Sequence, residues 1–161
     1  AYVNSKIGKG IITAKHVAGY FSQYKIPPTV CTLDLEKCED ISIDFISPSS
    51  ESLNRDRAFY KQSFSFLQTC KISKKQMKIK DNVTIIGNSW GFQPWVSEGN
   101  VAWVKEKSLY INGFCAPGCS GGGVFYKDRM VGIISAILNT EYGPQPNQIL
   151  SVPISQIEII E

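Results

Sequence analysis

The sequence predicts an all-β protein, and three observations carry that expectation. Short apolar or alternating runs recur along nearly the whole chain, turn-forming clusters separate them, and long helical periodicities are absent. The runs are IGKGIITA, TVCTLDL, ISIDFI, FSFLQTC, NVTIIG, VSEGNVAWV, SLYING, GGVFY, MVGIISAIL and QILSV. They read as about ten strands. Between them lie SPSSESLNRD, GNSWGFQP, CAPGCSGGG and NTEYGPQPNQ, in which Gly, Pro, Asn and Ser supply turn geometry or resist regular structure. Strand spacing by itself leaves a β-sandwich and a pair of barrels both open. Two pieces have helical character: a turn after His16 (KHVAGYF) and the C-terminal PISQIEII, where Pro153 fits a first helical turn.

The 161 residues suffice for one well-buried domain or two small barrels sharing an interface. A boundary between two units falls most naturally between Cys70 and Lys80, giving 1–75 and 76–161 as halves of one domain. Residues 47–57 form the most polar stretch and are expected to be a surface loop. No apolar run approaches the roughly 20 residues of a membrane span. The first residues, AYVNSKIGKG, lack an apolar signal-like segment and an initiating Met, so a trimmed or processed chain is expected. Five cysteines, Cys31, Cys38, Cys70, Cys115 and Cys119, are an odd number without C-x-x-C metal spacing. Together with the missing leader they favour an intracellular, cytoplasmic compartment, although a Cys31–Cys38 bridge across a hairpin stays open. The net charge of +3 is mild. One basic stretch, from Lys71 to Lys80, is read first as a solvated edge and second as a nucleic-acid contact.

Candidate chemistry begins with APGCSGGG. Ser120 follows Gly118 by two positions and precedes three glycines, a composition that permits a tight bend. In such a bend the Gly118 and Ser120 amides can converge on a developing oxyanion while the hydroxyl stays open to substrate. A serine hydroxyl needs a base, and the chain has a single histidine, His16, placed where the apolar run GIITA ends. An imidazole base works best when a carboxylate holds its tautomer. Asp40, opening ISIDFI, and Asp44, inside it, both compete for that role.

Together these segments resemble the trypsin-like (chymotrypsin-fold) serine peptidases, most closely minimal HtrA-type or viral chymotrypsin-like domains. GKGIITAKHV resembles the family's strand followed by T-A-x-H-V, EDISI its D-I-A-L, and PGCSGGGVF its G-x-S-G-G-x-L-F. VTIIGNSWGFQPWVSEGNVAWV, MVGIISA and QILSVPI resemble further segments in the family's order, so that the likeness runs from about Gly8 to Ile154. The resemblance implies two antiparallel six-stranded barrels with the active site between them and a short C-terminal helix or turn. His16 and Asp40 would stand on the first barrel, with Ser120 and the oxyanion donors Gly118 and Ser120 on the second.

The resemblance also implies a serine endopeptidase acting through an acyl-enzyme on a polypeptide, with no metal or organic cofactor. Phe114, Ser135, Ala136 and Ile137 would line the pocket for the substrate residue preceding the scissile bond. None is acidic, so apolar or small side chains are expected there. Cys119 stands where digestive enzymes place Asp, and there is no I-V-G-G start for zymogen activation. The compact form is compatible with a viral or phage processing enzyme acting on a polyprotein. The rival reading is a catalytically silent fold of the same kind that binds protein or RNA, with the lysines from 71 to 80 as its best feature.

Overall fold

A computed structural model of the chain describes residues 1–48, 56–105 and 108–153. Among these residues the molecule has twelve strands and one α-helix. The C-terminal PISQIEII, expected to form a short helix or turn, lies, beyond Pro153, outside the described residues. Most of the polar 47–57 stretch does too.

The N-terminal half begins with β1 (Tyr2–Ser5) and β2 (Gly8–Thr13), an antiparallel hairpin, and β5 (Ala58–Lys61) pairs the other edge of β2. Alternation in GKGIIT places Gly10 and Ile12 inward. Gly10 is required because any Cβ there would meet the Tyr60 carbonyl and the Phe59 ring. The helix α1 (Lys15–Gln23) follows β2 directly. Strands β3 (Thr29–Cys31) and β4 (Cys38–Asp40) make a separate two-stranded ribbon closed by a Cys31–Cys38 disulfide. The expected six-stranded first unit is therefore represented, among the described residues, by a three-stranded sheet and this ribbon.

The C-terminal half is more regular. It contains β7 (Asn82–Gly87), β8 (Trp95–Lys105), β9 (Ser108–Asn112), β10 (Gly123–Tyr126), β11 (Arg129–Thr140) and β12 (Gly143–Pro153). Pairing runs β10-β7-β8-β9-β12-β11, and β11 pairs back to β10, so six antiparallel strands follow one another in a ring. The short β6 (Lys71–Ile72) adds to β11 in parallel. Val83, Ile85, Val101, Leu109, Ile111, Val124, Val131, Ile134 and Ile149 fill the interior of this half. All but Leu109 are β-branched, a shape that suits strands.

The two halves meet through a shared apolar cluster. Val3, Ile12 and Phe59 from the first pack against Met130 and Ile133 from β11, and all five are fully buried. This contact fixes the end of β2, and hence the start of α1, against the strand that carries Ser135. Position, not exposure, is its contribution to the site.

Candidate functional site

His16 enters the site from the first turn of α1. Ala14, extended at φ −72 and ψ 141, marks the switch from strand to helix, and the imidazole is half exposed. Its partner is Asp56, immediately before β5. His16 Nδ1 lies 2.7 Å from Asp56 Oδ2, and the His16 backbone N–H donates to Asp56 Oδ1 at 3.0 Å. One carboxylate thus holds both the ring and the backbone of the histidine, at a helix N-terminus where negative charge is favoured. The side-chain hydrogen bond from Asp56, chiefly, raises the His16 pKa above its ordinary value. Burial pushes Asp56 upward, but the bonds from His16 and Ser135 outweigh it and leave its pKa lowered.

Ser135 supplies the next link. It is buried, and its hydroxyl donates to Asp56 Oδ2 at 2.5 Å. The β11–β12 register shifts between Ile134 and Ala136, so Ser135 sits at an irregularity in the ladder, where a side chain can be re-aimed. Its carbonyl faces the opposite partner: Ser120 Oγ is directed at Ser135 O, at a long 3.5 Å. A single residue therefore touches the carboxylate with its side chain and the candidate nucleophile with its backbone.

The loop bearing Ser120 is held on three sides. Gly121 N donates to Ile134 O at 2.8 Å, and Ile134 N donates to Gly122 O at 2.9 Å, tying the loop to β11 just before Ser135. Gly121, at φ +83, packs so closely on Thr13 and Ala14 that a side chain there would collide with Thr13 Oγ1. That approach sets Ser120 beside the strand end that launches His16. On the far side Gly118, at φ +102, lies against Asn88 O, and Trp90 N donates to Pro117 O at 2.8 Å. Among the described residues, the backbone bonds of this loop are donated by Cys119, Gly121 and Gly122. Cys119 is buried and joined to Cys115 by a disulfide, and Ser89 Oγ, 3.1 Å from Cys119 Sγ, accepts from Ala116 N at 3.1 Å.

The acid is where the sequence reading and the structure part. Asp40 ends β4 on the exposed ribbon, opposite Thr29, whose hydroxyl donates to it at 2.6 Å. Asp44 accepts from Ser42 Oγ at 3.1 Å. The carboxylate on His16 is that of Asp56 instead, because β5, not the ribbon, pairs with the strand that leads into the histidine. A signal for it existed. Asp56-Arg57-Ala58-Phe59 fits an acid-x-Ala-apolar pattern at least as well as Asp40-Ile41-Ser42-Ile43 does.

Of the residues expected to line the pocket, Ala136 and Ile137 follow Ser135 on β11 and are half-buried. Phe114 lies between Trp90 and Trp95, at ring-centroid distances of 5.9 and 5.4 Å. In the basic stretch, Lys75 Nζ pairs with Asp81 at 3.2 Å and lies over the Tyr126 ring. Among the described residues, no group of three or more His, Cys, Asp or Glu side chains is arranged to hold a metal, and no helix is long and apolar enough to cross a membrane.

No family model and no curated protein matches the sequence. Solved structures do match the fold. The HtrA-type protease AlgW with a decapeptide superposes with a TM-score of 0.71 at 18% identity, over 88% of this chain and 44% of that one. AlgW with a tripeptide gives 0.69 at 17% identity, over 94% and 54%. The serine endoprotease from Yersinia pestis gives 0.67 at 20% identity, over 94% and 56%. The chain has the trypsin-like serine protease fold. It spans about half the length of the structures it matches. The described sheets correspond to the expected all-β fold, and the gathering of His16, Asp56, Ser135 and Ser120 draws its residues from both sides of the shared apolar cluster.

Proposed function

We propose that the protein is a serine endopeptidase in which Ser120 is the nucleophile, His16 the general base and Asp56 the carboxylate that orients the base. The observation that carries this reading is the continuous path from His16 Nδ1 through Asp56 and Ser135 to Ser120 Oγ. With Nδ1–H donated to Asp56, the free lone pair belongs to Nε2, the atom needed to accept a proton from an attacking hydroxyl. Ser120 Oγ attacks a peptide carbonyl as His16 Nε2 takes its proton, and the carbonyl oxygen becomes an oxyanion held by the Gly118 and Ser120 amides. Collapse of the tetrahedral species expels the amine, which takes the proton from His16. Water then attacks the acyl-enzyme by the same route in reverse roles. Ser135 steadies Asp56, and the half-buried Phe114, Ala136 and Ile137 favour an apolar or small side chain before the scissile bond.

A polypeptide substrate is supported by the two AlgW structures, which are described with bound peptides. The test is reaction with a fluorophosphonate probe followed by mapping of the modified residue. Labelling at Ser120 that vanishes in His16→Ala and Ser120→Ala supports the reading. A folded protein that resists the probe and cleaves no casein or peptide library refutes it.

A further inference from the structure

Four aromatic rings stand in a row beside the nucleophile loop. Phe92 and Trp95 are 6.3 Å apart between ring centroids, Trp95 and Phe114 5.4 Å, and Phe114 and Trp90 5.9 Å. The inner two are half-buried, while the outer two are open to solvent, Trp90 at 62% and Phe92 at 64%. Large aromatic rings left this exposed and adjoining one another mark contact surfaces more often than ordinary exterior. Backbone geometry holds Trp90 in place. Its φ is +50, a conformation that non-glycine residues seldom adopt, and it is kept there by Trp90 N donating to Pro117 O and Gly91 N donating to Asn88 O. The first of these bonds joins the aromatic row to Pro117, three residues before Ser120. The adjacent surface residues Asn88 and Gln93 are uncharged.

We infer that Trp90, Phe92 and Phe114 form the wall on which a large apolar side chain of the substrate polypeptide, aromatic or long aliphatic, is seated next to the scissile bond. The inference rests on the peptidase reading and narrows it, replacing small side chains by large ones. The occupant follows from position and chemistry. The row adjoins the candidate oxyanion loop, because Trp90 N donates to Pro117 O and Gly118 packs against Asn88 O, which puts it beside the ground a chain bound across Ser120 would cover. It offers ring faces and edges with no carboxylate, which suits an apolar group over a cation.

The experiment uses quenched fluorescent peptides carrying Phe, Leu, Ala or Lys at each position flanking the cleaved bond. kcat/KM is measured for the wild type, Trp90→Ala, Phe92→Ala, Trp90→Phe and the distant surface change Trp103→Ala. Expected is a wild-type preference for Phe or Leu over Ala at one position. That preference falls about tenfold in Trp90→Ala and Phe92→Ala, is largely restored in Trp90→Phe, and is untouched in Trp103→Ala. An unchanged Phe-to-Ala ratio in both alanine variants, or a preference for Lys at that position, overturns the inference. Fluorophosphonate labelling of Ser120 separates the two failures. Labelling with an unchanged ratio defeats the aromatic wall alone, whereas a folded wild type that neither labels nor cleaves defeats the peptidase reading and this inference with it.

Discussion

Replacing Asp56 by Asn removes the charge while keeping the size of the group that organises His16. In the wild type Asp56 Oδ2 accepts from both His16 Nδ1 and Ser135 Oγ, and Oδ1 accepts from the His16 backbone N–H. All three neighbours are donors, so a carboxylate satisfies them and a carboxamide cannot. If the amide oxygen faces the backbone N–H, the NH2 group faces Nδ1 and Ser135. The imidazole then accepts at Nδ1 and carries its proton on Nε2, the wrong tautomer for a base. Loss of the correct tautomer in a triad of this type lowers the rate by about 10⁴-fold, roughly 5.5 kcal/mol of transition-state stabilisation. The assay is the second-order rate of Ser120 phosphonylation together with kcat/KM on a cleaved peptide, with circular dichroism to confirm folding. Asp40→Asn and Asp44→Asn are the controls and are expected to alter the rate less than about twofold, since exposed polar changes away from a site have small effects. A folded Asp56→Asn protein within tenfold of wild type, or an Asp40→Asn loss as large as that of Asp56→Asn, would refute the assignment.

Four further outcomes are expected. Because His16 must be neutral to act as base and its pKa is raised, the acidic limb of kcat/KM against pH should lie above the ordinary histidine value of 6.5 and move down in Asp56→Asn. The same pair links to stability: the raised His16 contributes fully below 6.5 and loses that contribution as pH rises through its folded pKa. Asp56, with its lowered pKa, contributes above 3.8 and loses that contribution as pH falls through its folded pKa, which thermal melts across pH will register. Gly118→Ala would place a methyl 2.5 Å from Asn88 O at φ +102, so the loop bearing Ser120 must shift, and phosphonylation should fall about 10²-fold with secondary structure retained. Ile133→Ala, at the fully buried contact between the halves, should lower unfolding free energy by about 2–5 kcal/mol in urea titration; a loss under 1 kcal/mol would show that the cluster does not hold the halves together.

How much was legible in advance varied with the range of the interaction. The strands were readable because their signal is local: β2, β7, β8, β10 and β11 coincide with apolar runs, and Gly- or Pro-bearing segments follow β7 and β11 and precede β8 and β10. The helix that carries His16 was read only as a turn after it, since it is short and its N-cap residue, Ala14, offers no side-chain cap. Among the cysteines, the Cys31–Cys38 bridge was foreseeable from hairpin spacing, whereas Cys115–Cys119 depends on the fold of the glycine loop. That the β3–β4 hairpin stands apart from β2 was not foreseen, because which strand pairs with β2 depends on residues well over forty positions away.

The same division governs the site. By itself the sequence determined an all-β chain, a serine in a glycine-rich segment, and a single histidine at a strand end. Each follows from residues within a few positions, where backbone sterics and composition decide the outcome. Only the tertiary structure decided that Asp56 rather than Asp40 meets His16, that Ser135 joins the acid to Ser120, and that Trp90, Phe92, Trp95 and Phe114 form one row. These are contacts between segments far apart in the chain. Their partners are chosen by strand pairing and by the burial of Val3, Ile12, Phe59, Met130 and Ile133 between the halves, which no local pattern encodes.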